Sequence, residues 1–566
     1  MNPSDSAADV LVVGAGAGGA LAAWALVEQG LSVLLLETGP RFDPARYETY
    51  AQGFEVEPSV FARVEAEPAR RSYESGEGEP LDPRFNALTS RSATLFSRPP
   101  LPGARRAPFV WSRALGVGGS TLHYQGEAHR FPAHSFRMKS ERGVAADWPI
   151  SYADLAPYYE RVERLLGVAG APHNPFKPPR GPYLYGPHPL SRASRRLAEA
   201  AGKLGWQALA NPVAILPRPA PGRAPCHYCN GCVRGCPVGA KGSVDVAVLP
   251  AAERTGRLRI ETGFHASRLE HAASGRISGV IGFDSAGQEQ RRRAQAVVLA
   301  AGAIETPRLL LNSAGGAHPH GVGNAHGQVG LHLMETLYVL RYASFAERLE
   351  TWAGIPLDFR IWDGNGAAGP SELVNGIVLG ATCSLFDGPA GVALEAAPGF
   401  GLRHREQVAE RFGATLALFA IAEQLPRAEN RVRIAETRDR HGSPLARVET
   451  RLDAKDLSAL QLAWRRLGQL AEAAGVAAQP GQVTAYDQPN ATHVAGTCRM
   501  GRDSQQSVVD AFCAVHGHPE LVVADASVLV TEGAGDSPSL TIQALALRSA
   551  EALATRARRG ELSRVR

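Results

Sequence analysis

The sequence predicts two interleaved architectures: an α/β, Rossmann-like nucleotide-binding domain built from discontinuous segments, and an inserted α+β domain centred on an antiparallel sheet. Three observations predict this. A strand, a glycine-rich turn, a helix and a second strand open the chain between Asp9 and Glu37. Short apolar runs of the kind that return to such a sheet recur far downstream, at Leu258–Glu261, Ala296–Ala301 and Leu521–Asp525. Strand-like runs near 332–343, 372–380 and 414–422 follow one another with few helices between them, the pattern of an antiparallel sheet. The expected division is a nucleotide-binding domain of 1–165, 237–330 and 485–566, an inserted domain of 166–225 and 331–484, and a cysteine loop at 226–236.

In chain order, Asp9-Val-Leu-Val-Val13 is a buried strand, and Gly14-Ala-Gly16-Ala-Gly-Gly19 opens a helix rich in alanine and leucine. Gly30 stops that helix, and Leu31-Ser-Val-Leu-Leu-Leu36 is a second strand ending at Glu37. From Arg41 to about Pro108 the chain is rich in Pro, Gly, Arg and Glu without clear periodicity, an extended excursion that reads as a lid over a site. Pro149 and Ser151 are helix-start signals for an amphipathic helix to about Leu166, with Ser151 as N-cap. Residues 167–225 are loop-rich, with a helix near Ser191 to Leu204. A long helix from about Ala454 to Ala474 closes the antiparallel region, and the last quarter is strand and helix again.

Composition excludes several classes. With 44% apolar and 20% charged residues, the chain is neither disordered nor fibrous. Its net charge of +5 is spread over 566 residues. Only the tail from Arg556 to Arg566, with five arginines and one glutamate, is locally basic, and it reads as a solvated terminus rather than a nucleic-acid arm. Val10 to Val27 is an eighteen-residue stretch without charge. Its four glycines identify a buried strand, turn and helix rather than a membrane span. The first nine residues hold two aspartates and no base, unlike a secretory signal, so the default compartment is the reducing cytoplasm.

The glycine turn carries the first chemistry. Gly14 permits the tight turn, Gly16 lets backbone approach a pyrophosphate, and Gly19 lets helix and strand pack closely. The helix N-terminus offers unpaired N–H groups to phosphate, and Glu37 stands where a ribose hydroxyl would sit. NAD and FAD share this pattern, so it does not choose between them.

The second chemistry is sulfur. Four of the seven cysteines lie within eleven residues, in Cys226-His-Tyr-Cys229-Asn-Gly-Cys232-Val-Arg-Gly-Cys236-Pro237. This spacing is that of bacterial ferredoxin loops, which predicts an iron–sulfur cluster, [3Fe–4S] or [4Fe–4S], on Cys226, Cys229, Cys232 and Cys236. Zinc is the rival metal, although structural zinc sites usually pair two knuckles across a longer spacer. Cys383, Cys498 and Cys513 are isolated and read as buried apolar residues.

Trp111-Ser-Arg-Ala-Leu-Gly-Val-Gly-Gly-Ser-Thr-Leu-His-Tyr124 and Ala301-Gly-Ala-Ile-Glu-Thr-Pro307 resemble the two signature segments of the glucose–methanol–choline (GMC) oxidoreductases. Asp147 to Tyr159, His493-Val-Ala-Gly-Thr-Cys-Arg-Met-Gly501, Val522-Val-Ala-Asp-Ala-Ser527 and Pro538-Ser-Leu-Thr-Ile542 are also similar to that family. The order of segments looks nearest to the large subunits of sugar and gluconate dehydrogenases. The resemblance implies FAD and a substrate domain over its isoalloxazine ring.

Carried over by position, Gly14, Gly16, Gly19 and Glu37 match the ADP-binding part. Gly118, Gly119, Ser120 and Thr121 match the loop along the flavin, and Asp525 the acid near the ribityl chain and phosphates. His493 matches the active-site base, which takes the hydroxyl proton as hydride leaves the carbinol carbon. Two positions depart from the family pattern. The residue before the last-motif proline, usually Asn or His, is Ser537, so either Ser537 fills that role with a shorter hydroxyl, neighbouring Asp536 substitutes, or activity is weak. The flavin-loop position often held by Asn is Tyr124, beside His123, which matches a position that carries a covalent histidyl–flavin bond in some members and not in others.

The expected activity is FAD-dependent oxidation of a CH–OH group of a small-molecule alcohol or sugar. Electrons would pass singly through the cluster to a partner acceptor, with a small subunit and a cytochrome as partners and co-export to the periplasm as the alternative location. Two other readings stand beside it: an alcohol oxidase returning electrons to O2 with the cysteine loop structural, zinc-bound or empty, and a non-catalytic flavoprotein.

Overall fold

The computed structural model describes residues 8–44, 90–91, 95–97, 112–365, 376–382, 399–450, 452–478 and 493–562. The predicted 41–108 excursion therefore falls almost wholly outside the described residues, as does Cys383.

The first layer is a six-stranded sheet in the order Ala514–Val515, His518–Val523, Ala296–Leu299, Val10–Val13, Val33–Glu37, Leu258–Thr262. Its five longer strands run parallel, and the short Ala514–Val515 edge is antiparallel. Val10–Val13 and Ala296–Leu299 are buried along their whole length. Their unbroken apolar runs are what a parallel sheet covered on both faces requires. The helix Ala17–Glu28 packs on the C-terminal helix Ser539–Arg558. Alanines make that close approach feasible, and Gly18 is needed because a Cβ there would overlap the carbonyl of Ala524. The Val10–Val27 segment is thus strand, turn and helix, and among the described residues no helix is long and apolar enough to cross a membrane.

The second layer is a six-stranded, wholly antiparallel sheet in the order Ala477–Ala478, Leu337–Ser344, Thr415–Ala422, Ile377–Thr382, Phe359–Ile361, Ala208–Ala210. The helices Arg192–Lys203 and Ala454–Ala474 bury their apolar stripes against one face of it, giving this sheet its own core around Leu197, Leu379, Leu418 and Leu467. Asp453 and Asp456 form a reciprocal capping box at the start of the longer helix, and Gly475 at φ +67° ends it. The helix Tyr152–Leu166 begins as its sequence signals predict: Ser151 Oγ accepts from Asp154 N at 3.3 Å and Asp154 Oδ2 accepts from Ser151 N at 2.8 Å. Such caps contribute about 1 kcal/mol each.

Two strand groups escape the sequence. An antiparallel meander of His265–His271, Ile277–Phe283 and Glu289–Arg293 flanks the first sheet, and a hairpin of Arg431–Arg438 and Pro444–Glu449 packs on the helix Gly302–Asn312. Both carry charged residues on their open face, as in Glu-Gln-Arg-Arg-Arg at 289–293, which mimics loop composition.

Candidate active site

A cavity of about 610 Å3 runs between the two sheets. At one end it touches Gly14, Gly16 and Glu37; in the middle, Ser120, His123 and Tyr124; at the other end, His493 and Ser537. Segments more than 400 residues apart in sequence meet here because the chain leaves the first sheet, builds the second, and returns for His518–Val523 and the last helix.

The Gly14 end is shaped for a pyrophosphate. Gly14 has φ +101°, and a Cβ on it would overlap the carbonyl of Ala300. Gly16 is the N-cap of the helix Ala17–Glu28; it supplies no side-chain acceptor, and the first turn holds no acid, so the N–H groups there remain available to an anion. Gly119, at φ +51°, approaches the Cα of Gly16 so closely that a side chain on it would collide. Gly118, at φ +114°, caps the short helical turn Gly119–Leu122, and Thr121 Oγ1 donates back to its carbonyl at 2.6 Å. Gly19 sits below the turn, where a Cβ would strike the carbonyl of Gly14. Glu37 spans the turn: Oε2 accepts from Ala15 N and Oε1 from Gly39 N, both at 2.9 Å. Asp525, whose pKa burial raises above the usual carboxylate range, accepts from Gly302 N, Thr306 Oγ1 and Ser527 N at 2.5–2.9 Å. These residues fit a dinucleotide laid along the cavity with its phosphates at the helix N-terminus.

At the far end, burial pushes the pKa of His493 down to about 4. The imidazole is therefore neutral near pH 7 and free to take a proton. Ser537 lines the cavity, and its backbone N–H donates to His129 Nδ1 at 3.1 Å. The other ring nitrogen, Nε2, lies 2.7 Å from Asn211 Oδ1. Asp536 is not brought to the cavity. Its side chain is fully buried, paired with Lys177 and accepting from Trp362 Nε1 at 3.0 Å. Asp536 meets the cavity wall only through a neighbour: its Oδ1 lies 3.3 Å from Nδ1 of His129, the ring nitrogen that also accepts from the Ser537 N–H. The cavity residues not anticipated include Glu127, Arg360 and Tyr338. Glu127 follows the flavin-loop motif by three residues, a charge beside a signature and the one signal available; the other two lie on inserted-sheet strands.

The cysteine loop abuts this cavity. Val233 lines it, and the Val233 carbonyl accepts from His123 Nδ1 at 2.6 Å. The buried Lys241 ammonium donates to the carbonyls of Leu122, Tyr124 and Cys232 at 2.7–3.1 Å. Tyr124 donates its own hydroxyl to Gly242 O at 2.6 Å. Of the four thiols, Cys229 is exposed, Cys232 buried, and Cys226 and Cys236 half-buried. Among the described residues, no three His, Cys, Asp or Glu side chains gather around a point that could hold a metal ion. The arrangement therefore does not fit the cluster predicted from spacing, and no step is derived through it. Cys498 and Cys513 are buried, as expected.

The sequence matches the family model described as GMC oxidoreductase, its N-terminal part over residues 8–334 and its C-terminal part over 426–546. The chain belongs to the GMC oxidoreductase family. It is 32% identical to a 2-methyl-1,2-propanediol dehydrogenase of Mycolicibacterium austroafricanum, over 98% of this chain and 97% of that protein. It is 28% identical to a fructose dehydrogenase large subunit of Gluconobacter japonicus, over 98% and 99%. A formate oxidase of Aspergillus oryzae, solved in a study of FAD modification, superposes with a TM-score of 0.64 at 17% identity, over 99% of each chain. Membership of the GMC family makes the chain an oxidoreductase of CH–OH donors and implies FAD, which the turn, helix terminus and cavity described above fit.

Proposed function

We propose that this GMC oxidoreductase is an FAD-dependent dehydrogenase of a small alcohol or sugar. The observation that carries the reading is the continuous cavity from the Gly14–Gly16 turn to His493 and Ser537. When bound, FAD supplies the hydride acceptor. The chain's residues do the rest. Neutral His493 takes the hydroxyl proton as the carbinol carbon is oxidised, and Ser537 holds the oxygen from beside it. Leu340, Leu357, Phe419 and Ile421 exclude water from that end.

Electrons leave towards a separate acceptor protein on the side of the cysteine loop. What supports this is the contact of Val233 with the cavity, and the name of one relative as the large subunit of a multi-subunit dehydrogenase. An iron–sulfur cluster on Cys226, Cys229, Cys232 and Cys236 is supported by their spacing alone. It would require the loop to gather its thiols on loading.

The test is anaerobic titration of the purified flavoprotein with alcohols and sugars, with iron and acid-labile sulfide assayed on the same sample. Bleaching of the flavin bands supports the reading, and no bleaching by any CH–OH donor overturns it. Rapid reoxidation by O2 in iron-free protein would instead make the chain an oxidase.

A further inference from the structure

Glu127 is buried to 7% exposure, yet it lines the cavity. Burial alone would raise its pKa, but Arg360, His129 and Asn211 outweigh that and hold the carboxyl below the usual range, so it is ionised. Its Oε1 accepts from Asn211 Nδ2 at 2.9 Å and is paired with Arg360, and His129 Nε2 lies 3.4 Å away. All three partners crowd onto Oε1. Oε2 is left to the cavity.

Arg360 is fully buried, with its guanidinium 4.2 Å over the ring of Phe419. Gly380, mid-strand in the antiparallel sheet, is glycine because any Cβ would overlap Arg360 Nη1. Nε and Nη1 of Arg360 have no hydrogen-bond partner. A buried ion pair with two orphaned donors is a poor device for stability, since a well-packed apolar pair of similar volume would serve as well or better. What the arrangement achieves is to present one carboxylate oxygen, ionised and charge-balanced, to the same cavity end as His493.

We infer that Glu127 is a specificity-determining residue that accepts a hydrogen bond from a second hydroxyl of the substrate, so that the substrate is a diol or polyol rather than a simple alcohol. The inference rests on the proposed oxidation of a CH–OH group. His493 and Glu127 are both acceptors, so the cavity asks for two donors: one hydroxyl gives its proton to His493, and the other is held by Glu127. Because Arg360 already neutralises the carboxylate, a neutral hydroxyl suits it better than an ammonium. Arg360 and Gly380 act through Glu127 and are positioning residues.

The test uses the FAD-loaded enzyme in anaerobic stopped-flow and compares flavin reduction by propylene glycol, by its monomethyl ether that keeps the primary hydroxyl, and by n-propanol. The expected kcat/KM for the glycol exceeds both others by about 10–100-fold, the usual effect of losing a hydrogen bond to a charged group. In Glu127→Gln that preference shrinks to a few-fold. Equal reduction by glycol and ether, or a preference that survives in Glu127→Gln, overturns the inference while leaving CH–OH oxidation standing. If neither these three nor any other CH–OH donor reduces a flavin that dithionite bleaches fully, it is the activity reading that fails. Should Glu127→Gln not fold, the glycol–ether comparison in the unaltered enzyme still decides.

Discussion

The Nδ1–H of His123 donates to the carbonyl of Val233 at 2.6 Å, tying the loop expected along the flavin to the middle of the cysteine loop. Lys241 makes the same junction a second time, through Leu122 O, Tyr124 O and Cys232 O. The two loops are one hydrogen-bonded wall, and a disturbance of either is felt by both.

Lys241→Met tests that wall. Methionine keeps the length of the stem but leaves three carbonyls without their donor, each a buried polar group that costs about 1–3 kcal/mol when orphaned. Relief from burying a charge offsets part of this. The expected net loss is about 2–4 kcal/mol by chemical denaturation, together with weaker flavin retention. Unchanged stability and retention would mean that water replaces the ammonium.

His493 gives a pH signature. Burial holds its pKa at about 4, so the neutral base is present throughout the physiological range and disappears only as pH falls through that value. Flavin reduction should therefore be flat from neutrality to mild acidity, where an ordinary histidine would already be half protonated. His493→Ala should slow flavin reduction by about 10²–10⁴-fold with flavin still bound. Stopped-flow rates across pH check both, and an inflection near the ordinary histidine value would reject the buried-base account.

Asp536 and Ser537 are neighbours with separable roles. Asp536→Asn leaves Lys177 buried without its counter-charge, which should cost about 3–5 kcal/mol. Ser537→Ala removes a hydroxyl at the cavity wall and should barely move Tm while slowing flavin reduction about 10-fold, the loss of one neutral hydrogen bond. Thermal melts paired with reduction rates separate the two. A stable, slow Asp536→Asn would restore that carboxylate to the chemistry.

Glu423 makes stability fall as pH rises towards neutrality. Its carboxyl is buried, accepts from Glu532 N at 2.6 Å and Ala534 N at 2.8 Å, and has its pKa pushed up to about 7, chiefly by burial. The folded protein thus holds a proton that the unfolded chain has already lost, so this contribution is full below the ordinary glutamate value and is lost as pH rises through about 7. Denaturation midpoints should decline in the native chain as pH rises from the ordinary glutamate value to about 7, and this decline should be reduced in Glu423→Gln. The variant pays a uniform cost, because one backbone N–H then faces an amide.

The central strands and the helix Tyr152–Leu166 were legible because each carries its own signal: uninterrupted apolar runs at Val10–Val13 and Ala296–Leu299, and a cap residue at Ser151. The strands of the meander were not, since a sheet with one wet face has an alternation that short arginine-rich segments blur. At the site, the glycines and His493 could be placed because motif position dictates their backbone or chemistry. Glu127 and Arg360 could not be paired, since 233 residues separate them, and they meet only because Glu127 bridges Val213 while the nearby strand Ala208–Ala210 pairs with Phe359–Ile361. Which way Asp536 faces is set by Lys177 and Trp362, two residues whose nearness no local pattern records.

The strand Ala296–Leu299 lies between Val10–Val13 and His518–Val523, two strands far apart in the sequence. During synthesis, this strand's far edge stays open until the ribosome has translated His518–Val523. The last helix, which packs on Ala17–Glu28, comes later still. An early stop codon anywhere before residue 518 removes the partner of that edge, so shortened products are expected to aggregate or be degraded rather than persist as partial enzymes.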